Sequence, residues 1–328
     1  MSRPAEALSP GSRLYGQVIG RVFNNSVATS KTMKVETIHS PVGIEFLITP
    51  AVGPLARYAH SLWGICMPAQ ARLPVAIREL PSGCLDVIFS FGDQVPFTGA
   101  QQPAGSPSAC CLVRGPILAP VLWCLEQRIE AIGVRLRPGG AYWLIQQDIS
   151  LLVDKVVPIP RVLEAWSPRA LGMFLRQADL AARVCLLAEL MEELLAASAE
   201  TENAPRACAM ASMLQERAGN MSLTEIERIF AVSARQIGRM FLKEVGLSPK
   251  MLGRIFRFKE LVRDLRQTPQ EPWALLAQAR GYYDQSHMIR DFKAFSGLTP
   301  QEFIEEWREG EVANFYLQPS CRSGTPVR

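Results

Sequence analysis

The apolar positions change their spacing part-way along the chain. Between residues 44 and 166 they alternate with polar positions over short stretches, which is typical of half-buried β-strands. In residues 82–93 one face of such a strand carries Leu85, Val87, Phe89 and Phe91, while Asp86 and Ser90 fall on the other. Residues 130–140 repeat the pattern and end in a Pro-Gly-Gly turn. Several short strands separated by turns predict a β-barrel or a sandwich.

After residue 167 the apolar positions take helical spacing. Residues 170–197 carry a wide apolar stripe, residues 200–205 interrupt it, and the chain is then predicted to be helical to about residue 307. The stripe is broad enough for a dimer interface, and it would equally serve to pack the helix on its own barrel.

The helical part contains an internal repeat with an offset of 51 residues. The matched positions of the first copy are Ser233, Arg239, Phe241, Gly246, Leu247, Ser248 and Pro249, and those of the second are Asp284, Arg290, Phe292, Gly297, Leu298, Thr299 and Pro300. In each copy two short helices flank a tight turn, and the second helix shows small and basic residues outward. This is the layout of a helix-turn-helix motif.

Local signals fix the ends of these helices. Ser222 with Glu225, and Ser233 with Gln236, have the spacing of capping boxes. Gly246 is expected to end the second helix of the first motif in a left-handed conformation. A long helix from residue 249 to about 266 then connects the two motifs.

The motifs resemble a known family. GYYDQSHMIRDFKAFSGLTPQEF, residues 281–303, resembles the signature of AraC/XylS-type transcription regulators, and SARQIGRMFLKEVGLSPK, residues 233–250, resembles the first half of the same domain. Upstream, residues 80–93 and 131–145 resemble the β-rich N-terminal domain that a subset of these regulators carries. The resemblance implies a sequence-specific DNA-binding transcription factor with two motifs in successive major grooves.

Pattern and resemblance together predict an α+β chain. Its N-terminal part is a β-barrel-like sensor domain, a helical linker follows, and the C-terminal part is an all-α double helix-turn-helix domain. We expect a disordered tail over residues 1–38, a β-rich sensor or dimerisation domain over 39–168, a helical linker over 169–215, the DNA-binding domain over 216–310 and a flexible tail over 311–328.

The outward positions of the two recognition helices are the candidates for contacts with DNA bases. They are Arg235, Gly238, Arg239, Gln285, Ser286, Ile289 and Arg290. Arginine can form two parallel hydrogen bonds with guanine. The alternative for Arg239 and Arg290 is a contact with phosphate or with a neighbouring carboxylate such as Asp291. Candidate phosphate contacts are Lys243, Lys250, Arg254 and Lys293, and a solvated face is the alternative for each.

One departure from the family pattern lies in the first motif. Members of the family usually carry alanine where Glu227 stands and glycine where Ala231 stands, and the second copy keeps both as Ala277 and Gly281. We expect Glu227 to turn outward or to pair with a basic residue such as Arg228 or Arg235. The departure keeps open a regulator that acts through protein partners and has weak intrinsic DNA binding.

The β-rich domain offers few chemical signals. Candidates for lining an effector pocket are Trp63, Asp86, Arg135 and Trp143, with ordinary core and turn roles as the alternative for each. Cys84 is interpreted as a buried, unreactive thiol, because the sequence shows no histidine or basic cluster beside it.

Composition excludes several classes of protein. Hydrophobic residues make up 48% and charged residues 20% of the chain, so it can bury a core. The eight cysteines are irregularly spaced and only three histidines occur, so we expect neither a metal site, nor a cofactor, nor a disulfide framework. No apolar run reaches about 18 residues, so we expect no membrane-spanning helix and a cytoplasmic address.

These exclusions favour a binding protein over an enzyme. The competing hypothesis is a barrel-type, cupin-like enzyme with a helical appendage, which would need a His/Glu metal cluster. The expected partner is double-stranded DNA. A small-molecule effector, RNA polymerase and a second copy of the chain are further candidates.

The charge is unevenly distributed. The whole chain has 35 basic and 31 acidic residues, but residues 228–266 hold 10 basic and 3 acidic ones. Residues 267–310 hold 4 basic and 7 acidic ones. We therefore expect the first motif to supply most of the salt-dependent attraction to DNA, and the second to adjust register and specificity.

Overall fold

A computed structural model describes most of the chain. The described residues are 36–39, 44–67, 75–91, 110–125, 129–158, 167–177, 179–197, 204–269, 272–309 and 313–315. Most of the two predicted tails lie outside these ranges.

Ten strands occur in the described part of the chain. They are β1 (Glu36–His39), β2 (Glu45–Pro50), β3 (Ala59–Cys66), β4 (Val75–Glu79), β5 (Leu85–Ser90), β6 (Cys110–Arg114), β7 (Val121–Leu125), β8 (Glu130–Leu136), β9 (Val156–Pro158) and β10 (Ala313–Phe315). β1 includes the last residues of the predicted N-terminal tail, and β10 lies within the predicted C-terminal tail.

Ten α-helices occur in the same part. They are α1 (Tyr142–Ile145), α2 (Ser167–Leu175), α3 (Leu180–Ala197), α4 (Ala204–Glu216), α5 (Leu223–Phe230), α6 (Ala234–Met240), α7 (Pro249–Gln267), α8 (Trp273–Ala279), α9 (Gln285–Ser296) and α10 (Pro300–Glu309). None of these described helices is long and apolar enough to cross a membrane.

The strands form two sheets. One has seven strands in the order β1-β2-β3-β8-β5-β6-β9, and the other has three in the order β10-β4-β7. All neighbours are antiparallel except β10 and β4, which run parallel. The predicted α+β architecture is confirmed. Its β-rich part consists of two open sheets, so it is barrel-like only in a loose sense.

Strand β5 is buried on both faces. Leu85, Val87 and Phe89 pack in the main core of the β-rich domain. Ile88 on the other face packs in a second core with Trp63 and Trp123. Asp86 on that face is also buried, at 1% exposure, because it forms ion pairs there rather than facing water.

The apolar stripe at residues 170–197 forms two helices, α2 and α3, rather than one. Leu187, Leu190 and Met191 of α3 are buried in the same core as Leu62 and Val87 of the sheet. The stripe therefore packs on its own β-rich domain, which is the second of the two roles considered for it.

Helices α4 to α10 build the C-terminal domain around one core. α5 and α6 form the first helix-turn-helix, α8 and α9 form the second, and α7 connects them. Leu80, which follows β4, is buried in this C-terminal core, so the two domains share packed side chains.

Candidate nucleic-acid interface

The first motif begins and turns where its capping residues predict. The hydroxyl of Ser222 accepts from the backbone N–H of Glu225, and the hydroxyl of Ser233 accepts from that of Gln236, so both capping boxes are present. Between them Ala231 takes a left-handed conformation at φ +51°, at the position where the family usually has glycine.

The first recognition helix, α6, has a buried and an open side. Ile237 is fully buried, whereas Arg235 and Arg239 are exposed. Gly238 lies between them, and a Cβ built at this position would meet no described atom within 4 Å. The open side of α6 therefore presents two arginines around a position without a side chain.

A π-helical turn over residues Phe241–Val245 follows α6 and ends at Gly246, which has φ +82° as predicted. Phe241 points into the core, and Lys243 is exposed. Glu244 is buried, and burial raises its pKa to about 7, although nearby Lys243 lowers it. A buried carboxyl group with a raised pKa thus lies in the turn that follows the recognition helix.

The second recognition helix, α9, repeats this arrangement. The side chain of Asp284 caps it by accepting from the backbone N–H of His287 at 2.6 Å. Met288 and Phe292 are buried. The candidate residues Gln285, Ser286 and Arg290 are exposed, and Ile289 is half-buried.

The connecting helix α7 holds the second motif by polar contacts. Arg254 Nη2 donates to Asp291 Oδ1 of α9 at 2.7 Å, and Arg257 Nη1 donates to the carbonyl oxygen of Gly281 at 3.0 Å. Asp264 accepts two hydrogen bonds from the guanidinium of Arg280. These contacts connect α7 to α9, to Arg280 at the end of α8 and to the turn that follows it.

Arg254 forms an ion pair within the protein, in a position where the sequence suggested a phosphate contact. Arg254, a phosphate candidate, is half-buried and directs its Nε and Nη2 at Asp291, and this hydrogen bond raises the pKa of Arg254. Asp291 is thus held by Arg254 and not by Arg290, whose Nε donates to Ser286 within its own helix. Arg254 thus connects helix α7 to helix α9 of the second motif.

The basic residues of the segment 228–266 are called the basic patch here. Fewer of them face the solvent than the sequence count indicates. Several basic residues of α7 bond within the protein or are buried, including Lys259 at 8% exposure. The exposed basic residues of the patch that belong to the first motif and the start of α7 are Arg228, Arg235, Arg239, Lys243 and Lys250. Lys293 on α9 is also exposed.

One exposed residue was missed in the sequence analysis. Tyr283, in the turn before α9, is 93% exposed. The sequence predicts only a tight turn ahead of α9, and the aromatic residue directly before the capping Asp284 was the available signal. Its ring stands at the same end of α9 as Gln285 and Ser286.

Comparison with protein families agrees with this geometry. Residues 226–306 match a family described as a helix-turn-helix domain, and residues 48–158 match a family described as a domain of unknown function, DUF6597. Residues 226–306 form an AraC-type helix-turn-helix domain. The AraC-type domain makes the chain a DNA-binding transcription regulator.

Curated proteins give no match to the chain. Among solved structures, the C-terminal domain of AraT, a response regulator from Geobacillus stearothermophilus, is 22% identical, with a TM-score of 0.28 over 30% of this chain and 81% of that chain. ToxT from Vibrio cholerae O395 is 11% identical, with a TM-score of 0.35 over 84% of this chain and 98% of its own. ToxT bound to (E)-4-(8-methylnaphthalen-1-yl)but-3-enoic acid is 12% identical, with a TM-score of 0.32 over the same shares. At these scores the likenesses add nothing to the assignment.

The β-rich domain contacts both motifs of the AraC-type domain. At the first motif, the Nζ of Lys243 lies 5.2 Å from the centre of the Tyr142 ring, and a hydrogen bond with Tyr142 raises the pKa of Lys243. At the second, Arg78 of β4 donates to the carbonyl oxygen of Ser296 at 3.0 Å and pairs with Glu306 of α10 at 2.9 Å.

Three of the four effector candidates bond to one another. Asp86 accepts from the indole of Trp63 at 3.2 Å and from Arg135 Nε at 2.9 Å. Arg114 and Glu79 complete a buried cluster of two arginines and two carboxylates. Trp143 lies in the main core beside Tyr58. The four effector candidates, Trp63, Asp86, Arg135 and Trp143, are each 3% exposed or less.

The surroundings of Cys84 differ from the expectation. The thiol is buried at 5% exposure, but Lys259 of α7 and Arg135 of β8 lie close enough to interact with it electrostatically. The argument that no basic group stands near Cys84 is therefore wrong. The six cysteines with described side chains are free thiols, and no group of three potential metal ligands occurs within the described ranges.

Proposed function

We propose that the two motifs of the AraC-type domain enter successive major grooves on one face of duplex DNA, about one helical turn apart. The observation that carries this proposal is the common design of α6 and α9. In each, the inward residues lie in one shared core, and the candidate base-contacting residues are exposed or half-buried, with Ile289 also packing against that core. Helix α7 follows the first motif in the chain and holds the second motif through the Arg254–Asp291 and Arg257–Gly281 contacts.

In this proposal Arg239 and Arg290 read base edges, together with Arg235, Gly238, Gln285, Ser286 and Ile289. Lys243, Lys250 and Lys293 contact phosphates. Tyr283 also contacts the phosphate backbone, because its exposed ring stands beside the N-terminus of α9. Arg254 is left out, since it holds Asp291.

The test is DNA binding by an arginine variant. Bound sites are first mapped by genomic footprinting, and affinities for one such site are then measured by fluorescence anisotropy. Arg239→Ala is expected to lose about 1–3 kcal/mol, or about 5- to 150-fold in affinity. The matched control is Arg176→Ala, which removes an exposed arginine at the end of α2, outside the DNA-binding domain. Equal affinity of Arg239→Ala and wild type, with circular dichroism unchanged, would contradict the assignment of α6.

We further propose that the β-rich domain controls DNA binding in response to a small effector. Support comes from its contacts with both motifs, through Tyr142 at Lys243 and through Arg78 at Ser296 and Glu306. Because these contacts fix each motif against the same body, a ligand that shifts the β-rich domain can change the spacing of α6 and α9. A homodimer and RNA polymerase as a partner stay predictions.

A further inference from the structure

The chain returns to the β-rich domain after the second motif. Helix α10 ends at Glu309, and strand β10 (Ala313–Phe315) pairs with β4 of the β-rich domain. The two strands run parallel, with Asn314 opposite Arg78 at the centre of the pairing. Three residues separate α10 from β10, so β10 cannot lie farther than about 14 Å from the end of α10. Strand β10 and the three residues that join it to α10 are called the strap below.

Strand β4, to which the strap attaches, is held firmly in the β-rich domain. It pairs along its whole length with β7. Its Glu79 is buried, forms ion pairs with Arg114 and Arg135, and accepts a hydrogen bond from the indole of Trp123 at 3.2 Å. A buried carboxylate with several partners resists displacement, because the loss of one partner leaves a costly buried charge. The strap is therefore fixed to a rigid part of the β-rich domain.

A side chain of the same strand reaches the second motif. Arg78 precedes Glu79 on β4, and the side chains of successive strand residues point to opposite faces. The Nη1 of Arg78 donates to the carbonyl oxygen of Ser296, the last residue of α9, at 3.0 Å. Its Nη2 lies 2.9 Å from the carboxylate of Glu306 on α10. Arg78 thus holds the second motif at the residue of β4 that stands opposite the centre of β10.

Helices α9 and α10 form one unit. The rings of Phe292 and Phe303 meet edge to face with centroids 5.4 Å apart, and both side chains are fully buried in the C-terminal core. A restraint on α10 therefore acts on the recognition helix α9 as well. The Arg78 contact lies at the C-terminal end of α9, whereas the candidate base-contacting residues Gln285 and Ser286 are exposed at its other end. Arg78 therefore holds α9 without covering these residues.

The first motif has no corresponding attachment among the described strands. Every strand of the two sheets lies outside residues 204–309. The first motif meets the β-rich domain through Lys243, at the Tyr142 ring, and through Gly246, where a Cβ would lie 3.0 Å from Ile149. In the described part of the chain the first motif is thus held by packing, and the second by backbone pairing as well.

We propose that the strap fastens the second motif to the β-rich domain and holds α9 in position for DNA. Strand β10 lies at the edge of its sheet and pairs through three residues. So short a pairing opens more easily than either domain unfolds, because it contains few contacts. When the strap opens, the second motif loses its backbone attachment and moves more freely. The effect on DNA rests on the proposed function, whereas the fastening does not.

Amide hydrogen exchange of the full chain without DNA measures the fastening. Asn314→Pro and Phe315→Pro are compared with Asn314→Ala and Phe315→Ala. Because the backbone N–H groups of successive strand residues point to opposite sides, one of the two prolines removes a donor to β4, and the alanine variants keep both donors. In at least one proline variant the amides of β4 and α10 are expected to exchange at least about fivefold faster than in wild type. The amides of α6 should keep the wild-type rate.

The Arg78–Glu306 ion pair is tested by the same measurement. Glu306→Gln removes the pair and should accelerate exchange in α10 by about two- to fivefold. Glu305→Gln, at the exposed neighbouring glutamate of α10, is the matched control and should leave the exchange rate unchanged. The double variant Arg78→Met, Glu306→Gln should exchange no faster than Arg78→Met alone, because Arg78→Met already removes this contact.

DNA affinity tests the role of the strap in recognition. The proline variant that opens the strap should bind a mapped site at least about threefold more weakly than wild type, because a freer second motif must be ordered on binding. Its alanine counterpart should bind as wild type. Wild-type affinity in a variant whose strap is open would refute this role.

Two results would overturn the fastening itself. One is equal exchange of the β4 and α10 amides in wild type and both proline variants. The other is equal acceleration in α6 and α10, which would mean a general loss of stability. Arg239→Ala separates this inference from the proposed function. If that variant binds DNA as tightly as wild type while the proline variants exchange as expected, the proposed function fails and the fastening stands.

Discussion

Glu227 of α5 accepts a hydrogen bond from the backbone N–H of Ala234, the first residue of the recognition helix α6. The sequence departs from the family pattern at this position, and the carboxylate was expected to turn outward or to pair with an arginine. That expectation is wrong, because the partner is a backbone amide. A carboxylate at the positive end of a helix satisfies a free N–H group and interacts favourably with the helix dipole.

This contact makes Glu227 part of the first motif's structure. Glu227→Ala is expected to lower the free energy of unfolding by about 0.5–2 kcal/mol, as the loss of a helix cap does. Glu227→Gln should lose less, because its amide oxygen can accept the same bond. Urea unfolding measures both, with Glu216→Ala, at an exposed glutamate of α4, as the control. A Glu227→Ala variant as stable as wild type would show that the contact adds nothing.

A substitution at Gly238 is expected to change stability and DNA affinity in opposite directions. Because a Cβ there meets no described atom within 4 Å, Gly238→Ala should stabilise the free protein by about 0.5–1 kcal/mol through better helix propensity. If α6 enters the groove closely, the added methyl group should weaken DNA binding by about tenfold. Gly172→Ala in α2 is the control and should leave affinity unchanged, because a Cβ there would meet Arg176 alone among the described atoms within 4 Å. A Gly238→Ala variant with full affinity would mean that the backbone of α6 stays clear of the bases.

Local features of the fold could be predicted from the sequence. The caps at Ser222, Ser233 and Asp284 and the left-handed turn at Gly246 depend on residues within four positions of each other. Their chemistry therefore appears directly in the sequence. The 51-residue repeat revealed both motifs for the same reason, since each copy contains its own turn and caps.

Contacts between distant segments could not be predicted in this way. Arg254 and Asp291 are 37 residues apart, and Arg135 and Asp86 are 49 apart. Only the packing of α9 on α7 and the register of β5 with β8 bring these partners together. The sequence therefore suggested a phosphate contact for Arg254 and a ligand pocket for Asp86 and Arg135, where the structure has internal ion pairs.

The salt dependence of DNA affinity tests whether the first motif contributes more of the electrostatic attraction to DNA than the second. Lys243→Ala is expected to reduce the slope of log affinity against log salt by about 0.9, the loss of one phosphate contact. Lys293→Ala should reduce it less, because residues 267–310 carry more acidic than basic residues. Lys155→Ala, at an exposed lysine of the β-rich domain, is the control. A larger loss of slope for Lys293→Ala would reverse the assignment.

Glu244 predicts a loss of stability as the pH rises. Its pKa in the folded chain is about 7, raised by burial from 4.5, so the folded state holds a proton that the unfolded state releases. Stability from this group is present at low pH and is lost as pH rises from about 4.5 to 7. Glu244→Gln, which stays neutral, should raise Tm by a few degrees at pH 8 and leave it unchanged at pH 4. An unchanged Tm at pH 8 would show that water or movement already relieves the buried charge.

His60 predicts the opposite dependence of stability on pH, namely a loss as the pH falls. Its pKa falls from 6.5 to about 3 on folding, because burial and then Lys259, Arg137 and Arg135 disfavour the imidazolium ion. The unfolded chain therefore takes up a proton below pH 6.5 that the folded chain refuses. The stability that His60 contributes is complete above pH 6.5 and is lost progressively as pH falls toward 3.

Between pH 7 and pH 4.5 this loss amounts to about 2–3 kcal/mol. His60→Leu cannot take up the proton. Its free energy of unfolding should therefore fall less than that of wild type between the two pH values, and the difference should equal this loss. Urea unfolding at the two pH values measures the difference. His39 is no suitable control, because its side chain lies outside the described residues, so His287→Leu, at a half-buried histidine of α9, is used. Equal losses in wild type and His60→Leu would mean that His60 becomes exposed to water before it is protonated.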